Sequence, residues 1–280
     1  MRSVAAAFGL VLCLFPFTPA MTQVNVHSAF SPDDLLREVI SNELKQSDLD
    51  RSRWTYEVTT EEGGQQSTKR VVETRDGSLE RLIALNGRTL SADKQQQETN
   101  RIKELLTNPQ EQEKANRARR KEAAQCAALL KMLPDAFLFR DMGEARDLRR
   151  IAFKPNPSFQ PPSWQAKVLH VLEGEILVSV KDRRLAGING RLVEDVKFGG
   201  GLLGHLKRGG EFRVERTHLG LGHWEMTILD VTMNGKALLF KSIAVQHKEV
   251  KTGFRRVGDD LSAHDAAEEL NSFAVLAANR

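Results

Sequence analysis

Alternating hydrophobic and polar positions dominate the stretch from Ala166 to Lys251. Ile176 and Val178 fall on one side of a strand whose other side carries both polar and apolar residues, as in a sheet with one face buried from water. About five such runs, joined by glycine-rich or charged turns, predict an antiparallel meander. Gly187 and Gly190 lie inside one run, where glycine usually marks a bulge, a bend or a close backbone approach. The pattern therefore predicts a curved sheet.

The dipeptide Asn234-Gly235 is the strongest turn signal in this stretch, because it tolerates the positive φ angles of a type I′ turn. It predicts a hairpin that joins the strand around Trp224 to the run from Leu238 to Val250. That last run is apolar on both faces for part of its length, so we expect it to be covered on both sides. A helix packed into the concave face of the sheet is one such cover.

The N-terminal part combines one helix with three strands. Ser31 and Pro32 form a helix start, and an apolar stripe from Leu35 to Leu44 predicts that the helix lies on the sheet. Three predicted strands follow, at Trp54–Thr60, Thr68–Arg75 and Leu79–Asn86.

The composition changes between Ser91 and Leu133, where β-branched residues almost disappear. Two helices are predicted, Ala92–Thr107 and Gln110–Leu133, separated by a proline at 109. The first half of the second helix is charged and should be solvated, whereas its second half should be packed. This inserted arm is a solvated spacer, a moving lid or a docking surface for a partner.

Beyond the arm, Phe137–Arg140 and Leu148–Lys154 return to strand character. The proline-rich segment that follows, through Pro162, predicts an extended edge crossing. Ser262 and Asp265 resemble a capping box at the start of a last helix, which either docks or frays.

Together these patterns predict an α+β fold, a curved antiparallel sheet (an incomplete β-barrel) wrapped on helices with an inserted helical hairpin. Residues 1–20 have the basic start, apolar run and small terminal residues of a signal peptide. The half-barrel domain should cover residues 30–257, with the arm at 91–133, and residues 258–280 should form a helix or tail. We therefore expect a periplasmic or secreted protein.

Charge and cysteine content narrow the range of functions. The net charge of +4 is modest for 280 residues and spread along the chain, so no nucleic-acid partner is expected. A positive balance permits attraction to an anionic membrane surface or substrate. Removal of residues 1–20 would leave Cys126 without a disulfide partner, and its alanine-rich surroundings predict a small buried group.

A glycine-rich segment from Phe198 to His205 resembles a phosphate loop only in the spacing of two glycines. The lysine and hydroxyl residue that should follow are absent, so phosphate binding is not expected. The segment is either a mobile hairpin tip or an apolar tip, formed by Leu202 and Leu203, that suits a membrane surface or a lipid entrance.

No cofactor or metal site is predicted. His218 and His223 flank a turn, with Asp230 further along the strand, but their spacing matches no standard zinc pattern. The chain carries no nucleophile elbow and no zinc-protease helix. A hydrolase would need dispersed catalytic residues, for example one of His205, His218 or His223.

One segment and one later strand carry a family resemblance. The run from Leu172 to Ile188, with its charged turn, and the strand Trp224–Ile228 resemble those of the periplasmic carriers and receptors that sort outer-membrane lipoproteins (LolA/LolB-like). The likeness in layout extends over roughly residues 30 to 255. It implies an unclosed barrel whose helices plug the concave face and hold an acyl chain. The long arm and the proline-rich crossing depart from that family.

These observations give three hypotheses. The first is an exported, non-enzymatic protein that holds a lipid or lipidated partner in an apolar hollow, with a role in envelope lipoprotein trafficking. The residues expected to line this hollow are Trp224, Met226, Ile228, Phe240, Leu202 and Leu203. The second is an envelope interaction module with a self-filled core, whose arm contacts another protein. The third is the hydrolase.

Overall fold

The computed structural model describes residues 31–163, 165–198, 204–237 and 246–278. The helices are α1 (Pro32–Leu49), α2 (Ala92–Thr107), α3 (Pro109–Ala136) and α4 (Ala263–Ala278), with a 3₁₀ helix at Gln165–Val171. The first strands are β1 (Arg53–Glu62), β2 (Gln65–Thr74), β3 (Gly77–Leu85), β4 (Arg88–Thr89), β5 (Phe137–Ala145), β6 (Leu148–Pro155) and β7 (Leu172–Ser179). The later strands are β8 (Arg184–Leu192), β9 (Val196–Phe198), β10 (Gly204–Leu206), β11 (Glu211–Gly220), β12 (His223–Thr232), β13 (Gly235–Ala237) and β14 (Gln246–Val257).

Eleven strands form one curved antiparallel sheet in the order β4-β3-β2-β1-β14-β12-β11-β8-β7-β6-β5. The order consists of two meanders joined where the first strand pairs with the last, β1 with β14. The sheet does not close, because its two edge strands, β4 and β5, do not pair with each other. The predicted α+β fold with an incomplete barrel is therefore confirmed.

The predicted hairpin at Asn234-Gly235 is only partly right. β12 and β14 do pair, from Ile228 opposite Val250 to Thr232 opposite Gln246. However, Gly235 begins β13, which pairs with β10 in a separate three-stranded sheet. The connection is thus longer than a two-residue turn, because the chain leaves the large sheet before it returns.

The helices cover opposite faces of the large sheet. On the face that carries Ile176, called here the α1 face, α1 and the 3₁₀ helix pack on β6, β7 and β8. The register between β7 and β1 places Leu177 and Val72 together on the other face, called here the α4 face. There α2 and α4 pack on β2 and β3 through Ile102 and Leu270. The chain therefore fills two separate cores.

The inserted arm passes from one face of the sheet to the other. Ile102 of α2 belongs to the core on the α4 face, whereas Leu133 and Ala136 of α3 belong to the core on the α1 face. Because α2 and α3 connect the two edge strands, this crossing lies at the opening of the sheet. The arm is thus packed at both ends, and its exposed part is the middle of α3.

Cys126 corrects one prediction, because it is exposed rather than buried. The predicted packing of α3 starts later than expected, since Ala124 is also exposed and burial begins near Leu133. Alanine-rich composition therefore did not indicate a buried face at this position, and the packing of α3 against the core begins further along, with Leu130 and Met132.

The last helix docks. Ser262 Oγ accepts a hydrogen bond from the Asp265 amide at 3.2 Å, and the Ser262 amide donates to the Asp265 carboxylate at 3.1 Å. This is the predicted capping box. Ala266 and Leu270 are then buried against β2 and β3. Of the helices in the described ranges, none has the length and apolar character required to cross a bilayer.

Candidate functional site

A large open hollow lies on the α4 face of the strands from β5 to β12, where no helix of the described residues covers it. Its volume is about 950 Å³. Six neighbouring strands contribute to it, so it extends over about 24 Å at the usual spacing of about 4.8 Å between strands. The α4-face residues that line it are Leu138, Arg140, Ala152, Lys154, Glu173, Asn189, Arg191, Glu211, Arg213, Asp230 and Thr232. Only Leu138 and Ala152 of this set are apolar, but Phe139, Phe153 and Phe212 also line the hollow, so its lining is a mixture of charged and apolar groups.

The strand register explains why these side chains meet. Glu173, Arg191, Glu211 and Thr232 are successive cross-strand partners, and so form one row across β7, β8, β11 and β12. A second row contains Arg140, Ala152, Glu175, Asn189, Arg213 and Asp230, and Glu175 in it is paired with Arg150. Paired residues in a sheet point to the same face, so each row presents its side chains to the hollow.

The charges in the hollow are separated. In the middle, Arg191 contacts Glu173 at 2.6 Å, which neutralises both. At the β5–β6 side, Arg140 and Lys154 have no carboxylate partner within the described residues. At the β11–β12 side, Glu211 and Asp230 form no ion pair with another described residue, although the register places Asp230 between Arg213 and Lys248. Arg213 contacts Glu215, outside the hollow, at 3.0 Å. The hollow therefore carries unpaired cations at one side and acids without an ion pair at the other.

Two glycines bring the strands beneath the hollow close together. A Cβ atom at Gly174 would lie 2.0 Å from the Asn189 carbonyl oxygen, and one at Gly190 would lie 2.7 Å from the Phe212 ring. Of the bulge, bend or close approach predicted for the glycines of this run, Gly190 shows the close approach. A side chain at Gly174 or Gly190 would collide with the neighbouring strand.

The predicted ligand-binding residues are only partly placed by the structure. Trp224, Met226 and Ile228 lie on β12 and are half-buried. The Trp224 ring contacts His218 at 5.6 Å between ring centroids. None of the three lines the hollow, although Asp230 of the same strand does. Phe240, Leu202 and Leu203 lie outside the described residues.

A second polar feature is a cluster of buried and half-buried groups between the end of α1 and the α1 face of β1, β12 and β14. His223 Nδ1 contacts the carboxylate of Asp50, and the Trp54 ring stacks on the imidazole at 5.1 Å between ring centroids. Next to them, Lys251 Nζ donates to Glu225 at 2.8 Å. Burial lowers the pKa of His223, but the contacts with Glu225 and Asp50 outweigh it, so the pKa is raised above its ordinary value.

The pKa values of the acids in this cluster are shifted in different directions. Burial raises the pKa of Glu225, but His223 and Lys251 outweigh this effect and hold the pKa below its ordinary value. Glu73 accepts a hydrogen bond from the Trp54 amide, and burial raises its pKa. Burial also raises the pKa of Tyr56, whose ring lies under the Lys251 ammonium group. The cluster is therefore a network of charge pairs beside two groups that favour their neutral forms.

This cluster does not have the geometry of a hydrolytic relay. A relay histidine uses one ring nitrogen for the nucleophile and the other for the orienting acid. Here Ser52 Oγ and Asp50 both approach Nδ1 of His223, with Ser52 Oγ at 3.3 Å. Ser52 also donates to Asp50 at 2.6 Å, so the three groups form a closed triangle. Across the described ranges, no group of three or more His, Cys, Asp or Glu side chains could hold a metal ion.

Sequence reasoning singled out His223 and Asp230 as candidates, but it did not predict the residues that surround either of them in the structure. The alternating charges of Glu173, Arg191 and Arg213 were visible as the polar faces of separate strands. Only the pairing of β7, β8 and β11 brings them into one row. The contact between Asp50 and His223 joins residues 173 positions apart, and no local signal predicts it.

Comparisons with known proteins add little. No family model matches this sequence, and no curated protein matches it. The crystal structure of a DUF1329 family protein from Desulfovibrio piger is similar over 83% of this chain and 97% of that chain, at 12% identity and a TM-score of 0.26. A likeness at this level carries no information about function.

Proposed function

We propose that this protein is a non-enzymatic interaction module of the cell envelope that binds a partner segment with separated charges in the open hollow. The observation that carries this proposal is the lining of the hollow, with free cations on β5 and β6 and free acids on β11 and β12. Both helix-covered faces are filled by the protein's own side chains, which favours a self-filled module over an empty apolar cavity.

The arrangement of charge selects the partner. Arg140 and Lys154 would attract an acidic group, and Glu211 and Asp230 would attract a basic group. The two sides are about four strand spacings apart, or roughly 19 Å, which an extended peptide covers with about six residues. Complementary charges at this separation fix the orientation of a partner and raise its association rate. The location in the envelope rests on residues 1–20, and N-terminal sequencing of the mature protein tests it.

A short peptide with an acidic block and a basic block, separated by glycines and labelled with fluorescein, tests the charge pattern. We expect it to bind the full chain at low salt, more tightly than all-acidic or all-basic peptides of equal length. The affinity should fall as salt screens the charges. Fluorescence anisotropy measures all three peptides.

Matched charge reversals make the test specific. Arg140→Glu with Lys154→Glu should weaken binding of the block peptide at least tenfold. Lys121→Glu with Lys131→Glu makes the same change of net charge at exposed positions of α3, away from the hollow, and should not alter binding beyond a small effect. Equal losses in the two double variants would show that net charge alone attracts the peptide, and would overturn the proposal.

A second candidate is a lipid or a lipidated partner. Trp224, Met226 and Ile228 are half-buried on β12, and Leu138 is exposed within the hollow, so apolar surface is left for a ligand to cover. Each acyl methylene that is buried would contribute about 0.8 kcal/mol. Affinity should therefore rise with the length of a fatty acid in a displacement assay, and purified protein should carry lipid extractable for mass spectrometry. A flat length series with no extractable lipid would exclude this candidate.

A further inference from the structure

A second, smaller pocket lies where the end of α1, the start of β1, the β11–β12 turn and the end of β14 meet. Its volume is about 300 Å³. It is separate from the charged hollow, because the two share no lining residue. The residues that line it are Gln46, Leu49, Asp50, Arg51, Ser52, Trp54, Leu221, Gly222, His223, Arg256 and Asp259.

The pocket has an exposed apolar rim. Leu221 is 83% exposed and Leu49 is 70% exposed, which makes them the two most exposed large hydrophobic side chains in the described part of the chain. Both line this pocket. Single exposed leucines are common on protein surfaces, but two such residues beside one cavity form an apolar surface that a ligand can cover.

The backbone at Leu221 is unfavourable for a leucine. Its φ is 52°, in the left-handed region, between Gly220 at 101° and Gly222 at 77°. A residue with a Cβ atom is disfavoured in this region relative to glycine. The turn therefore holds an exposed apolar side chain in a conformation that glycine or asparagine would adopt more readily. Strain of this kind, at an exposed turn, is a known mark of binding sites.

The charge that remains free in the pocket is positive. The Asp50 carboxylate already interacts with Ser52 and His223. Asp259 accepts hydrogen bonds from Arg256 at 3.1 Å through both carboxylate oxygens. Arg51 is exposed and has no charged partner within the described residues. An anionic group placed here meets an unpaired guanidinium, and no acid in the lining is left free to repel it.

From this geometry we infer that the small pocket binds an amphipathic anion, with its acidic group on Arg51 and its apolar chain against Leu49 and Leu221. A free fatty acid, an alkyl phosphate or the head of an anionic lipid has this chemistry. The inference does not rest on the proposed function of the hollow.

Calorimetric titration of the full chain with decanoate and with decyltrimethylammonium tests the inference, because the two probes share an alkyl chain and differ in the sign of the charge. We expect decanoate to bind at least tenfold more tightly. Arg51→Glu should reverse this preference, and Arg51→Lys should keep it. Leu221→Asp should weaken decanoate binding at least tenfold, whereas Met142→Asp, which removes an exposed apolar side chain on β5, should leave it unchanged.

Two further measurements define the site and the source of the ligand. The hollow variant Arg140→Glu with Lys154→Glu should bind decanoate normally, so failure of one proposal is distinguishable from failure of the other. Decyl phosphate compared with phosphatidylglycerol vesicles separates a free ligand from a lipid head. Equal decanoate affinity in the wild type and in Arg51→Glu, or a loss in Met142→Asp equal to that in Leu221→Asp, would overturn the inference.

Discussion

Glu43 and Arg184 form a bidentate ion pair that joins α1 to β8 and is almost fully enclosed. The two hydrogen bonds measure 2.9 and 3.0 Å, and the side chains are 8% and 9% exposed. Glu43 also accepts the Leu185 amide at 2.8 Å and contacts Arg216 at 2.7 Å. Burial alone would raise the pKa of Glu43, but Arg184 and Arg216 outweigh it and hold the pKa below its ordinary value. A charged network thus fixes the position of α1 on the sheet.

Removal of the Glu43 carboxylate should destabilise the protein strongly. Glu43→Ala leaves Arg184 and Arg216 close together without a counter-charge, and the loss of one partner of a buried pair costs about 3–5 kcal/mol. Urea denaturation measures the free energy of unfolding. Glu113→Ala removes a solvated partner of Arg117 on α3, and should change the free energy of unfolding far less. A loss for Glu43→Ala as small as that for Glu113→Ala would show that the network contributes little to stability.

The contact between His223 and Asp50 should make stability depend on pH near neutrality. Because the pKa of His223 is raised in the folded state, the contact contributes fully below the unfolded value of about 6.5. The contribution is then lost as the pH rises through the folded pKa. The free energy of unfolding of the wild type should therefore decline above about pH 6.5.

His223→Gln should remove this decline. The carboxylates of Asp50 and Glu225 have lowered pKa values, so their contributions are lost only at acidic pH. Glu73 has a raised pKa and adds a decline of its own, which begins at a lower pH and which His223→Gln should leave in place. His264→Gln, at an exposed position of α4, is the matched control and should keep the wild-type slope. Urea denaturation from pH 5.5 to pH 9 compares the three proteins. An unchanged slope in His223→Gln would assign the pH dependence to another group.

The backbone packs so closely at Gly174 that one added methyl group should strongly destabilise the protein. A Cβ there would lie 2.0 Å from the Asn189 carbonyl oxygen and 2.7 Å from the Gly190 Cα, so β7 and β8 would have to move apart. Gly174→Ala should cost more than about 3 kcal/mol, in the range of severe core substitutions. Gly258→Ala has open space around the new methyl group and should cost less than about 1 kcal/mol. Thermal unfolding of the two variants decides whether the pairing is as close as the structure shows.

Local patterns predicted most elements of this fold. The bounds of α2 agree with those expected from composition and the proline at 109, because the residues that start and stop a helix lie close to its ends. The apolar stripe of α1 is buried as expected, through Leu35, Leu36, Val39 and Ile40. Alternation also placed β1, β2 and β3, whose turns contain glycine.

The features that the sequence did not predict depend on contacts between residues far apart in the chain. Alternation shows that a strand has two faces, but it does not show which face a helix will cover. Val72 and Ile176 are equally buried, yet they lie in cores on opposite faces of one sheet. The hollow follows from this arrangement, because the α4 face of β5 to β12 is left without a helix. Its charged rows depend on registers between distant strands, which no local pattern fixes.

Leu221 supplies a prediction in which stability and binding change in opposite directions. Leu221→Gly relieves the left-handed backbone and should raise the free energy of unfolding by about 1 kcal/mol. Leu221→Ala keeps a Cβ in the same backbone conformation, so it should not be stabilised in this way. Both variants lose the apolar rim and should bind decanoate less tightly than the wild type. Urea denaturation and calorimetry of the same preparations separate the two effects, and a stability gain shared by both variants would show that exposure of the leucine, rather than its backbone angle, is the unfavourable feature.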